Sequence, residues 1–274
     1  MSHHKIEGIN LHYSYPDGHE AIKDISFSIY HGESVGIIGA NGSGKSTLLL
    51  LILGILFPDK GEVKVGDVAV TKKTLAMIRQ RLGLVFQDSD DQLFMTTLYD
   101  DVAFGPRNLN LSESEVNSRV NEALEMVGIP QLANRAPFKL SGGEKRAAAI
   151  ASVLSMQPDV LIMDEPTSGL DPKSRRRLIH ILKGFSHTKI ITSHDLDMVM
   201  ETCDRIIVIK DGEVAASGSQ LEILTNESLL NDCGLEIPLS FQRCPVCGMS
   251  KDPISEHTLP IWKNGINCSL NDDW

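Results

Sequence analysis

The sequence predicts an α/β fold built on a largely parallel sheet, with functional turns at the carboxyl ends of its strands. Three stretches carry that expectation. Ser34–Ile38 is a short apolar run that stops at Gly39, enters a glycine-rich turn and continues into a helix-like segment, 45–54. Residues 160–163 form a second run, ending in the adjacent carboxylates Asp164 and Glu165. Ile190-Ile191 marks a third strand, ending at His194, and a helical segment, 172–183, separates the last two. Apolar runs of this length without polar alternation fit strands covered on both faces.

The other elements follow in order. Ile25, Phe27 and Ile29 alternate with Ser26 and Ser28, the period of a half-buried strand. Residues 61–70, with Gly66-Asp67 inside, read as a hairpin. The greasy stretch 48–57 is interrupted by Gly54 and is too short to cross a bilayer, so it reads as a buried helix. Segments 98–104 and 113–127 have helical spacing, with breaks expected at Pro106 and at Gly128-Ile129-Pro130. Asp211-Gly212 between 205–210 and 213–217 is a two-residue hairpin signal. After Leu224, Asn231-Asp232-Cys233-Gly234 and Pro238, Pro245, Pro253 and Pro260 interrupt any long element. The expected organisation is therefore one domain over 5–224, with a helical part at about 88–156, and a tail or small appendage over 225–274.

Composition narrows the function classes. A chain of 274 residues can bury a full core. Its 36 acidic and 26 basic residues give a formal net charge of −10, which disfavours non-specific binding to nucleic acid or anionic lipid. Aromatics at 5% leave little surface for stacking bases, so no nucleic-acid partner is expected. Any phosphate must be held in a local pocket. The polar start Met1-Ser2-His3-His4-Lys5 predicts no secretory leader, and five cysteines, an odd number, predict reduced thiols in a cytosolic compartment.

Three motifs carry chemistry. Gly39-Ala40-Asn41-Gly42-Ser43-Gly44-Lys45-Ser46, followed by Thr47, fits GxxxxGK[ST] between a strand and a helix. Its glycines let backbone N–H groups converge on phosphate oxygens at a helix N-terminus. Lys45 is suited to neutralising the β- and γ-phosphates of a nucleotide, and the Ser46 hydroxyl to ligating Mg²⁺. Asp164 is suited to the Mg²⁺ shell and Glu165 to polarising an attacking water. Leu140-Ser141-Gly142-Gly143-Glu144-Lys145 is the third. Ser141 and Glu144 have the spacing of a capping box, and the consecutive glycines bare the backbone at a helix N-terminus, which suits a second phosphate.

In this order the three motifs resemble the Walker A, signature and Walker B elements of ABC ATPases, a resemblance running from about 5 to 217. It implies a P-loop ABC ATPase cassette: a parallel-sheet core with an antiparallel β subdomain and a helical subdomain, plus the short C-terminal tail. It implies ATP and Mg²⁺ as cofactors. Gln87, after Leu84-Val85-Phe86, is similar to the Q-loop glutamine that contacts Mg²⁺ and the attacking water. Ser168-Gly169-Leu170-Asp171 resembles the D-loop, His194 the switch histidine at the γ-phosphate, and Tyr15 the aromatic that stacks on adenine. In the family two cassettes face head to tail, each signature (here Ser141, Gly142, Gly143) closing over ATP on the other's P-loop.

Gln87-Asp88, Asp91-Gln92-Leu93-Phe94 and Asp101-Val102-Ala103-Phe104-Gly105-Pro106, together with Tyr15-Pro16-Asp17-Gly18, look like ATPase subunits of energy-coupling-factor transporters, especially the cobalt and nickel type. The resemblance implies a second ATPase subunit (a copy or a paralogue), a transmembrane coupling subunit and a substrate-binding membrane subunit, at the cytoplasmic face of the membrane. Two departures stand out: Glu144 where many relatives carry Gln, and Ala147 where a second basic residue is common. The competing reading is a soluble ABC ATPase, such as one serving iron–sulfur assembly. In the tail, Cys244-Pro245-Val246-Cys247 is a CxxC knuckle that could join His257, Cys268 or Cys233 around zinc, or belong to a loosely docked tail.

Overall fold

The computed structural model describes residues 6–242. Cys244, Cys247, His257 and Cys268 lie outside them. The chain opens with β1 (Ile6–Ser14) and β2 (Glu20–Ile29), an antiparallel pair. After β3 (Ser34–Ile38) and α1 (Lys45–Ile52), the hairpin β4 (Lys60–Val65) and β5 (Val68–Ala69) completes a four-stranded sheet in the order β2-β1-β4-β5. A short α2 (Leu75–Arg81) leads into β6 (Leu82–Val85).

Three helices follow: α3 (Leu98–Asn108), α4 (Glu113–Met126) and α5 (Gly142–Leu154). The chain then alternates through β7 (Val160–Asp164), α6 (Pro172–Gly184), β8 (Thr188–Thr192), α7 (Leu196–Thr202) and β9 (Arg205–Lys210). It ends, as described, with β10 (Glu213–Ser219), α8 (Gln220–Leu224) and α9 (Glu227–Asp232). The larger sheet has the order β10-β9-β3-β8-β7-β6, parallel throughout except for β10, which returns from β9 across Asp211-Gly212.

Burial explains the apolar runs. Every residue of β3 and β8 is buried, because the sheet is covered on both faces. One core lies between this sheet, α1 and the antiparallel sheet, and includes Leu11, Ile25, Ile37 and Leu48. The second, on the other face, joins Val85, Val102, Val120 and Ile150 of the helical region to Ile191 and Val199. The helical region is stitched by its caps: Ser112 and Glu115 form a capping box at the start of α4.

Two expectations need correcting. Pro106 does not break its helix but sits within α3. A proline cannot donate to the carbonyl four residues back, and that carbonyl, Val102 O, instead accepts from Ser155 Oγ of the α5 C-terminus at 2.8 Å. The segment beyond Leu224 is not a separate texture at first. Leu230, Cys233 and Leu235 are buried in the second core, so the folded unit continues past the expected boundary. Cys233 is thereby placed among apolar neighbours, where burial pushes its thiol up.

Candidate functional site

The loop between β3 and α1 folds as its glycines require. Gly44 has φ 109° and a Cβ there would meet Ala21 O at 2.6 Å, so only glycine fits. Gly42 has φ 77° but faces open space, leaving its backbone accessible. At Gly39 a Cβ would lie 2.2 Å from Ile209 O, so the loop rests directly on β9. Lys45 Nζ donates to Gly39 O (2.8 Å) and Ala40 O (2.9 Å), and Ser43 N–H donates to Ala40 O. Burial pulls the Lys45 ammonium down, opposed by the charges of Glu165 and Asp164.

A cleft of about 700 Å³ opens over this loop. It is lined by Asn41, Gly42, Gly44, Lys45, Ser46 and Thr47, together with Tyr15, Gln87, Glu165 and His194. Four chain segments distant in sequence therefore meet around one loop. Tyr15 reaches it from the start of the β1–β2 turn and shares a 3.0 Å hydrogen bond with Thr47 Oγ1, its ring edge-on to Tyr13. The position fits an aromatic wall beside a bound base.

Asp164 ends β7, where its Oδ1 accepts from the Thr192 hydroxyl of neighbouring β8. Glu165 follows with φ 45°, a left-handed conformation that costs a non-glycine residue about 1–3 kcal/mol. Its amide donates to Thr192 O (3.0 Å). The strained turn throws the carboxylate toward His194, whose backbone N–H donates to Oε2 (3.1 Å) and whose Nε2 lies 3.2 Å from Oε1. A carboxylate held half-buried beside an imidazole is suited to drawing a proton from water.

Ser46 and Gln87 also border a second cleft of about 730 Å³, where Asp164 joins them and which runs on past Ser168 and Gly169 to Leu140 and Gly142. Hydroxyl, amide carbonyl and carboxylate are hard oxygen donors, and with phosphate oxygens they fit Mg²⁺. Ser141 and Gly143 border neither of the two clefts.

The third motif forms the capping box its spacing foretells. Ser141 caps α5, Glu144 N–H donates to Ser141 Oγ (3.4 Å), and the Glu144 carboxylate accepts from Ser141 N–H (2.8 Å) and Oγ–H (2.9 Å). These hydrogen bonds hold the Glu144 carboxyl below the usual range. The two glycines divide their work. Gly142 faces open space, whereas a Cβ on Gly143 would meet Ser174 Oγ at 2.0 Å, so Gly143 lets α5 pack against α6. Asp171 caps α6, accepting from Lys173 N–H, Ser174 N–H and Ser174 Oγ–H.

Sequence reasoning missed Arg146, and it named Gln92 and Asp101 only for their resemblance, not for holding these loops. Arg146, 4% exposed, donates from Nη1 to Phe86 O (2.7 Å) and from Nη2 to Gln87 O, so α5 grips the Gln87 loop. Gln92 accepts from Phe86 N–H and donates to Ala149 O (2.7 Å) and Ser152 Oγ (2.9 Å). Asp101 Oδ1 accepts from Phe94 N–H (2.9 Å) and Met95 N–H (3.0 Å).

With this geometry in hand, comparison with known proteins is decisive for the class. The ABC transporter family profile matches residues 22–168, and the chain belongs to that family as an ATP-binding ATPase component. Among individual relatives, the chain is 58% identical to a putative ABC transporter ATP-binding protein of Geobacter sulfurreducens, over 90% of this chain and all of that one. It is 47% identical to the energy-coupling factor transporter ATP-binding protein EcfA of Methanothermobacter thermautotrophicus, over 85% and 76%. The structure of cbiO1 from Clostridium perfringens, described as part of the ABC transporter complex cbiONQ, superposes with a TM-score of 0.76 at 38% identity, over 84% of this chain and 94% of that one.

Proposed function

We propose that this ABC transporter ATPase is the motor of an energy-coupling-factor type importer for cobalt, nickel or a vitamin, seated peripherally on the cytoplasmic face of the membrane. The likeness to EcfA and cbiO1 supports the transporter type. Among the described residues no helix is long and apolar enough to cross a membrane, so force must reach a membrane subunit through a surface.

The observation that carries the reading is the Phe94 surface. Leu93 is buried, but Phe94 is 62% exposed and stacks edge-on with Phe104, also exposed, at 5.1 Å between ring centroids. Around them runs a groove of about 660 Å³ lined by Phe86, Leu109, Val153 and Met156. Exposed aromatics around an apolar groove fit an amphipathic helix of a membrane partner. The groove shares Phe86 and Gln92 with the loop that leads to Gln87, which links docking to the nucleotide cleft. Among the described residues no corresponding feature favours a soluble iron–sulfur assembly ATPase.

On this reading Lys45 neutralises the ATP phosphates and Tyr15 walls the adenine. Ser46, Asp164 and Gln87 hold Mg²⁺, which supplies charge neutralisation for the phosphates. Glu165 polarises the attacking water and His194 contacts the γ-phosphate side. Open Gly142 at the α5 N-terminus offers its backbone dipole to ATP held by a second cassette, a copy or a paralogue. Phe94→Asp tests the docking. The variant subunit is expected to fold, dimerise and hydrolyse ATP, yet not to co-purify from membranes with its partner. Wild-type recovery of the membrane subunit would move the docking surface elsewhere.

A further inference from the structure

His194 belongs to no helix or strand; it stands between β8, which ends at Thr192, and α7, which begins at Leu196. Yet its contact with Glu165 depends on both its backbone and its ring. The next residue, Asp195, is where that stretch is tied down. Its side chain caps α7, Oδ1 accepting from Met198 N–H at 3.0 Å, and its own N–H donates to Ser193 Oγ at 3.0 Å. Arg175 engages both carboxylate oxygens, Nε to Oδ2 at 2.5 Å and Nη2 to Oδ1 at 2.6 Å. The side chains are only 28% and 21% exposed, so water screens the pair weakly. Burial pushes the Asp195 carboxyl up, but Arg175, the Met198 N–H and the Thr167 hydroxyl outweigh it and hold the group below the usual range.

Arg175 lies in the first turn of α6, directly after Ser174, which is itself bound by the Asp171 cap and packed against Gly143 of α5. A planar, bidentate pair of this kind fixes orientation as well as distance. It joins the start of the helix after Ser168-Gly169-Leu170-Asp171 to the start of the helix after His194.

We propose that Arg175 and Asp195 are positioning residues that hold His194 against Glu165 and make its placement follow the N-terminus of α6. This rests on the reading of Glu165 and His194 as the hydrolytic pair. Because α6 also touches the signature helix at Gly143, a second cassette pressing on that region would be felt at His194 through Arg175.

Asp195→Asn is the cleanest probe, since asparagine caps a helix as well as aspartate and matches its size, while the ionic bidentate contact is lost. Steady-state hydrolysis should show kcat reduced about tenfold with KM for ATP within about twofold, the signature of misplacement rather than lost binding. Arg175→Gln should match it, and Arg175→Lys should recover part of the rate. The double variant Arg175→Gln with Asp195→Asn should be no slower than either single variant, because both break one contact. Should Arg175→Gln fail to fold, Asp195→Asn and Arg175→Lys still decide the question. A folded Asp195→Asn with wild-type kcat, or single losses that multiply in the double variant, overturns the proposal. His194→Ala separates the two levels. If that variant hydrolyses at the wild-type rate, the hydrolytic reading fails; if it is impaired while Asp195→Asn is not, this inference alone fails.

Discussion

Arg146→Met tests whether the signature helix holds the Gln87 loop. The side chain is 4% exposed, and its two charged donors reach Phe86 O and Gln87 O. Burial pulls the guanidinium down, with Asp88 opposing. Hydrogen bonds from a charged donor contribute about 1.5–3 kcal/mol each. Against this, methionine removes a buried cation whose desolvation costs several kcal/mol. The net loss should be about 1–3 kcal/mol, or a Tm lower by about 2–12 °C in a domain of this size. The larger effect should be functional, because the Gln87 backbone loses its anchor: kcat should drop about tenfold while ATP affinity is kept. Thermal unfolding, nucleotide titration and steady-state hydrolysis on one preparation read all three. A folded variant with wild-type kcat would refute the grip of α5 on the loop, and a variant that loses ATP binding would place Arg146 in the P-loop cleft instead.

Two further outcomes follow from the geometry. Ser141→Arg should abolish hydrolysis yet leave ATP binding by the monomer intact, since Ser141 borders neither cleft of its own chain; loss of monomer binding in a filter or fluorescence assay would contradict the shared site. Glu33, 18% exposed, accepts from Arg205 Nε (2.5 Å) and Nη2 (3.1 Å) and from Tyr30 N–H. Burial pushes its carboxyl up, but Arg205 and the Tyr30 amide bring it below the ordinary 4.5. A lowered folded pKa gives stability that is complete above the unfolded value and is lost as pH falls through the folded one. Glu33→Gln should therefore unfold more easily at pH 7, and its deficit should shrink below about pH 4.5, as denaturant titrations across pH would report.

Much of this was legible because the residues concerned act locally. The β3 and β7 runs end where buried strands must, so Gly39 and Asp164 could be placed without a third dimension. Ser141 and Glu144 are three residues apart, and a capping box needs nothing else. The long-range contacts left no such mark. Arg146 looks in sequence like another solvated helix cation, and its partners lie about sixty residues away. Pro106 reads as a helix breaker until Ser155 supplies the missing donor. Gly143 reads like Gly142 until Ser174 is seen beside it. The boundary drawn at Leu224 failed because three apolar residues, Leu230, Cys233 and Leu235, are too few to register as an element but enough to dock one.

The central claim is that Glu165 drives hydrolysis in a cleft completed by a second cassette. Glu165→Gln, mixed with ATP and Mg²⁺ and followed by light scattering alongside phosphate release, tests it most directly. The account predicts hydrolysis reduced by about 10²–10⁴-fold, with the protein accumulating as an ATP-bound dimer. A variant that releases phosphate at the wild-type rate, or that stays monomeric at saturating ATP, would contradict it.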